Sequence, residues 1–290
     1  MKHKLLFAIL LVCLLAGCEK GYMGEEESII DPQGNVTLRV TAFEQMPFDE
    51  LNIGSRATTV SNVCTRLNFA VFSGSERVKS FAQKVGDTDF GTVSMSLAEG
   101  TYTVVAIAHS SDKSVSITDP AKIAFENPMS DTFYYYGQIV VGSDASTYDL
   151  TLNRATAMFR LKINDAMPDN VRNMKFYYTG GSASLNATTG YGNVNSKQTV
   201  NIEVPESMTG QPTQFEVYTF EHENKTPLKI TITAQDANGN DLNEKIFENV
   251  PIERNKITQY SGDFFDSGLR ENNFTVNVED AWGGTTEIDF

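Results

Sequence analysis

Beyond residue 35 the chain alternates apolar and polar residues with a period of two. Val36, Leu38 and Val40 share one side of VTLRV, as do Leu67, Phe69 and Val71 in LNFAV, Val93, Met95 and Leu97 in TVSMSL, and Tyr148, Leu150 and Leu152 in YDLTL. The pattern continues with Phe159, Leu161 and Ile163 in FRLKI, Val200, Ile202 and Val204 in VNIEV, and Leu228, Ile230, Ile232 and Ala234 in LKITITA. Successive side chains of a strand point to opposite faces, so each run predicts a strand with one buried face. TYTVVAIAH, residues 101–109, is apolar on both faces and predicts a central strand covered on both sides. No segment carries the 3.6-residue period of an amphipathic helix, and the fold class expected is all-β.

Turn chemistry separates the runs. Glu99-Gly100, Gly180-Gly181, Asn238-Gly239 and Gly283-Gly284 supply residues that tolerate positive φ in tight connections. Residues 36–290 are too many for one typical sandwich and enough for two. One strand ends at Leu152 and the next begins at Ala157 with only NRAT between, so the expected division is an N-terminal β-sandwich domain over 36–153 and a C-terminal one over 154–290. A link that short predicts a fairly rigid pair, or a strand that bends from one sheet into the next.

The N-terminus changes the picture. Lys2, His3 and Lys4 precede an apolar run from Leu5 to Ala16, which reads as an export signal over residues 1–17. The run falls short of the roughly 20 residues that a spanning helix needs. Leu15-Ala16-Gly17-Cys18 matches the pattern of bacterial lipoprotein signals, in which the cysteine sulfur receives a diacylglyceryl group and the freed amine a further acyl chain. Cys18 is thus the lipidation site and first mature residue. Two or more chains make a stable anchor, at about 0.8 kcal/mol per buried methylene. Residues 18–35, acidic and poor in apolar periodicity, form the expected lipidated N-terminus and tether. Acidic residues directly after such a cysteine resemble the signal that sends lipoproteins of the Bacteroidetes to the outer face of the outer membrane.

Charge and cysteine usage narrow the partners. The chain holds 23 Lys plus Arg against 37 Asp plus Glu; without Lys2 and Lys4 the formal charge falls from −14 to −16. Such a chain repels phosphate backbones and anionic headgroups, which excludes nucleic acid as a partner and leaves the lipid to hold the membrane. Cys13 departs with the signal and Cys18 is acylated, leaving Cys64 with no internal disulfide partner.

Catalytic chemistry finds little support. His109 and His222 lie in different proposed domains, and a histidine-based triad is not expected. Two histidines and one cysteine without CxxC or HxxxH spacing make no zinc site, and no metal or other cofactor is expected. DANGND, residues 236–241, has oxygen ligands around a glycine but the wrong spacing for an EF-hand loop; a hairpin turn accounts for it. Paired carboxylates such as Asp263 and Asp266 are the remaining hydrolytic candidates. TFYYYG, residues 132–137, places three tyrosines in succession, of which Tyr134 and Tyr136 could share a face and stack on sugar rings. This carries a second reading, a surface glycan-binding lipoprotein of a nutrient-uptake system.

The lipobox, CTRLNFAVF, EGTYTVVAIAHS, LNRATAMFRLKI, YTGGSASLNATTGYG and VPIERNKITQYSGDFF together resemble the fimbrial anchor-subunit lipoproteins of the Bacteroidetes. The resemblance implies two transthyretin-like β-sandwich domains, no catalysis, fimbrial subunits as partners, and a place at the base of a surface fimbrium. There the protein would fix the fibre to the outer membrane through Cys18 and help set its length. Stalk subunits of this kind resemble precursors cut after an arginine, which lose an N-terminal strand and open a groove for a neighbour's strand. A cut after Arg39 or Arg56 would sever the lipid-bearing segment here, so residues 36–43 are expected to stay paired in the native sheet. NNFTVNVEDAWGGTTEIDF at the C-terminus reads as strand, turn and strand, expected to complete their own domain rather than lend a strand to the next subunit, the alternative.

Overall fold

The computed structural model describes residues 30–44, 60–265, 274–280 and 284–288. Cys18, Arg56, Asp266 and Trp282 lie outside them. The strands are β1 (Val36–Glu44), β2 (Arg66–Ser73), β3 (Glu76–Lys84), β4 (Thr92–Met95), β5 (Gly100–His109), β6 (Ile123–Ala124), β7 (Thr132–Val141), β8 (Ser146–Arg154) and β9 (Thr156–Ile163). They continue with β10 (Asn173–Thr179), β11 (Ser184–Asn186), β12 (Tyr191–Gly192), β13 (Gln198–Glu203), β14 (Thr213–Phe220), β15 (Leu228–Gln235), β16 (Asp241–Val250), β17 (Lys256–Gly262), β18 (Thr275–Asp280) and β19 (Gly284–Ile288). Among the described residues helix is confined to α1 (Val60–Val63) and a 3₁₀ turn, Glu206–Met208. The protein is all-β.

The first seven-stranded ladder runs β3-β2-β5-β7-β8-β1-β4. β5 and β7 pair along their whole length, whereas β7 and β8 meet only at Phe133 with Arg154 and Tyr134 with Asn153. The ladder therefore bends at that corner into two faces. Leu67, Phe69, Val104, Ala106 and Ile139 from β3-β2-β5-β7 share one core with Val36, Leu38, Val93, Met95 and Leu150 from β8-β1-β4. Burying each such side chain contributes about 1.5–3 kcal/mol, which fixes the register: a slip of one residue would turn the whole set to water.

The second half repeats this order. β13-β10-β15-β16 stands where β3-β2-β5-β7 stands, and β17-β9-β14 where β8-β1-β4 stands, with β18 and β19 added beyond β17. Phe176, Tyr178, Ile230, Ile232 and Phe247 pack against Phe159, Leu161, Phe215, Val217 and Tyr260. The C-terminal pair β18–β19 extends the sheet of its own half by pairing with β17.

Pairing between these strands is antiparallel except in two places. β1 pairs in parallel with β8, and β9 in parallel with β17. In both cases the opening strand of a half lies beside a late one, and the long intervening chain supplies the crossover that parallel neighbours require. Alternation of side chains carries no information on strand direction, so this was invisible in the sequence.

A third cluster joins the halves. Ala70, Phe72, Val105, Ile107, Val115, Ile117 and Ile123 pack with Ala155, Leu185, Ala187 and Phe220. β6 extends this contact by pairing with β11, which also carries β12. β5 is therefore buried on both faces, Val104, Ala106 and Ala108 in one core and Val105 and Ile107 in another, as its doubly apolar sequence predicts.

Candidate functional site

The site begins with how the chain enters the fold. β1 lies between β8 and β4, and Val36, Leu38 and Val40 are buried. The N-terminal strand is thus an interior member of its sheet, as expected for residues 36–43. Arg39 points outward and pairs with Asp149 at 2.8 Å, both side chains about half exposed. An ion pair so placed contributes at most about 1 kcal/mol. The peptide bond after Arg39 is held in ladders on both sides.

Between the halves, NRAT is no loop. β8 ends at Arg154, β9 starts at Thr156, and Ala155 alone connects them, fully buried. The Arg154 side chain is 2% exposed. Its Nε donates to both Asp131 carboxylate oxygens at 3.0 Å and its Nη1 donates to Asn255 Oδ1 at 3.0 Å. The guanidinium also lies 4.8 Å from the Phe133 ring centroid. Thr156 Oγ1 donates to Asp131 at 2.9 Å. Arg154 thereby links β8, the segment before β7, and the loop leading to β17. Charged type and boundary position were legible in the sequence; burial was not.

The three tyrosines separate. Tyr135 packs toward the first core. The Tyr134 hydroxyl is 3.5 Å from Arg254 Nη1, and that nitrogen also donates to Gly190 O at 3.0 Å while the guanidinium stacks 4.7 Å from the Tyr191 ring. Tyr134 is therefore tied into the junction, and Tyr136, 41% exposed, is the ring of the pair presented to solvent.

The remaining polar candidates behave structurally. Asp236 accepts from the Asn238 and Asn240 amides at 2.8 Å and from Asn240 Nδ2 at 2.9 Å, closing the turn between β15 and β16 with Gly239 at φ +80°. These hydrogen bonds lower the Asp236 pKa. Cys64 is buried, and desolvation pushes its thiol up to about 12. His109 is buried at the end of β5 with Nε2 3.3 Å from Asn68 Oδ1; desolvation, with Arg66 adding repulsion, lowers its pKa to about 4. His222 Nδ1 lies 3.0 Å from Gly192 O. Among the described residues no cluster of three or more His, Cys, Asp and Glu could hold a metal ion, and no helix is long and apolar enough to cross a membrane.

The chain belongs to a family of unknown function (DUF6562), whose model matches residues 32–289. Among curated proteins none matches it in sequence. In fold it is similar to a candidate polysaccharide-binding protein (DUF1812) of Bacteroides thetaiotaomicron, at 10% identity over 88% of this chain and 98% of that one, with a TM-score of 0.50. Other structural neighbours are a candidate cell adhesion protein of Bacteroides ovatus, at 14% identity over 87% and 98% of the two chains and a TM-score of 0.48, and the fimbrial anchor protein Mfa2 of Porphyromonas gingivalis, at 10% identity over 84% and 95% and a TM-score of 0.40. At such identities the likeness is one of fold.

Proposed function

We propose that this protein is an acylated outer-membrane lipoprotein that anchors a surface fimbrium and helps limit its length. The observation that carries the reading is the placement of β1. An N-terminal strand buried between β8 and β4 keeps the preceding tether, and any lipid on Cys18, covalently continuous with the folded body. A stalk subunit that gives up its first strand has no such continuity. Fimbrial anchor and adhesion proteins among its neighbours support a place at the cell surface. The residues 36–153 and 154–290 form its two domains, a division supported by the repeated strand order. Its partners are fimbrial subunits and the membrane, its role is structural, and it has no catalytic residues. Growth of the native host on labelled palmitate should label the protein and leave a Cys18→Ala variant unlabelled. An unlabelled wild-type protein overturns the lipid anchor.

A further inference from the structure

The outer face of the β13-β10-β15-β16 sheet carries an open groove of about 1090 Å³, independent of the anchor reading. Its lining includes Arg172, Asn173, Asn201, Glu203, Met208 and Gln235. The ladder explains why these side chains converge. Asn173 stands opposite Glu203 on one side and Gln235 on the other, and Gln235 stands opposite Asp241. Asn173 Nδ2 donates to Gln235 Oε1 at 2.7 Å and Gln235 Nε2 to Asp241 Oδ1 at 2.8 Å, so the row is a fixed chain of amides and carboxylates.

Two residues along β10, on the same face, Lys175 stands between Asn201 and Thr233; two further on, Tyr177 stands between Thr199 and Thr231. At about 3.3 Å per residue, Asn173 to Tyr177 spans about 13 Å. Asn201 and Glu203 are exposed and Asn173, Lys175 and Tyr177 half-buried, while the alternate residues Met174, Phe176 and Tyr178 fill the core beneath. Among the described residues Asn201, Lys175 and Glu203 make no side-chain hydrogen bond, so their donors and acceptors face outward unspent.

We propose that this face binds a neutral polysaccharide chain. A sugar offers hydroxyls that donate and accept together, which paired amides and carboxylates match, and apolar ring faces, which Tyr177 and Met208 can cover. Arg172 and Lys175 are offset by Glu203, Asp241 and Glu244, so the face lacks the positive excess that an anionic polymer needs. Tyr136, on β7 of the other half, is no part of it.

The test is native electrophoresis of the full mature chain in gels containing mannan, xyloglucan, laminarin or amylopectin. At least one polymer should retard the protein. Asn201→Ala and Lys175→Ala should each weaken that retardation at least tenfold with unchanged thermal midpoints, and Tyr136→Ala should leave it intact. Unaltered mobility in all four gels overturns the proposal, as does retardation that survives both Asn201→Ala and Lys175→Ala or is lost with Tyr136→Ala.

Discussion

Arg154 is the buried charge on which the junction most depends. Its partners Asp131 and Asn255 come from the two sides of the boundary, and an Arg154→Ala chain would leave the Asp131 carboxylate facing a void. Breaking a buried pair costs about 3–5 kcal/mol; since Asp131 is 25% exposed, the expected loss is about 3 kcal/mol, read as a lower urea midpoint. An unchanged midpoint would mean that water replaces the guanidinium freely. His109 acts through protons. Its folded pKa, about 4, lies below the ordinary 6.5, so the unfolded chain binds more protons between those values. Stability should therefore fall as pH drops from about 6.5 toward 4, with His109 adding a slope of up to about 1.4 kcal/mol per pH unit. Urea midpoints across that range should decline less steeply in His109→Gln. The sequence marked His109 as buried through its strand, but nothing in NRAT distinguished Arg154 from a surface arginine, because burial there depends on a partner 23 residues upstream and another 101 downstream.

Elements were the most legible level. The alternating runs at β1, β2, β4, β8, β9, β13 and β15 all became strands with the apolar side turned to the core, Leu97, Tyr148 and Ile202 being half-buried there, since one-sided burial is what a period of two records. Strand direction escaped, as did the longer β3, β10, β14 and β17, which were not among the alternating runs read as strands, and the short β6, β11 and β12, because two- and three-residue strands carry no period. β1 yields the prediction that matters for function. Its scissile bond after Arg39 lies inside two ladders, so trypsin should leave it intact in the folded protein, with cleavage appearing only near the unfolding midpoint. Rapid native cleavage there would show that β1 detaches. Gly180, at φ +91°, sits where a Cβ would be 2.2 Å from Pro227 O. Gly180→Ala should therefore cost at least the about 1–3 kcal/mol usual for a strained left-handed position, measured by thermal melting.

At the scale of the molecule, two sandwiches of the same strand order are welded by a third core. Their sequences hide the repeat because the same order is specified by different apolar residues, with only alternation in common. The cluster of Phe72, Val105, Ile107, Leu185 and Phe220 means that neither half alone covers its apolar surface. The intact chain should unfold in one transition, whereas a fragment of residues 30–154 should bind a hydrophobic dye strongly; two well-separated transitions would show the junction to be weak. An anchor subject to pulling gains from such a weld, since load on one domain passes to the other without a flexible linker. The central claim is that lipid on Cys18 holds a fibre to the cell through this rigid body. The most direct measurement replaces Cys18 by alanine in the native host and follows protein and fibres in cell and medium fractions. Fibres shed into the medium together with the unlipidated protein are the expected result, and fibres that stay on the cells would contradict the account.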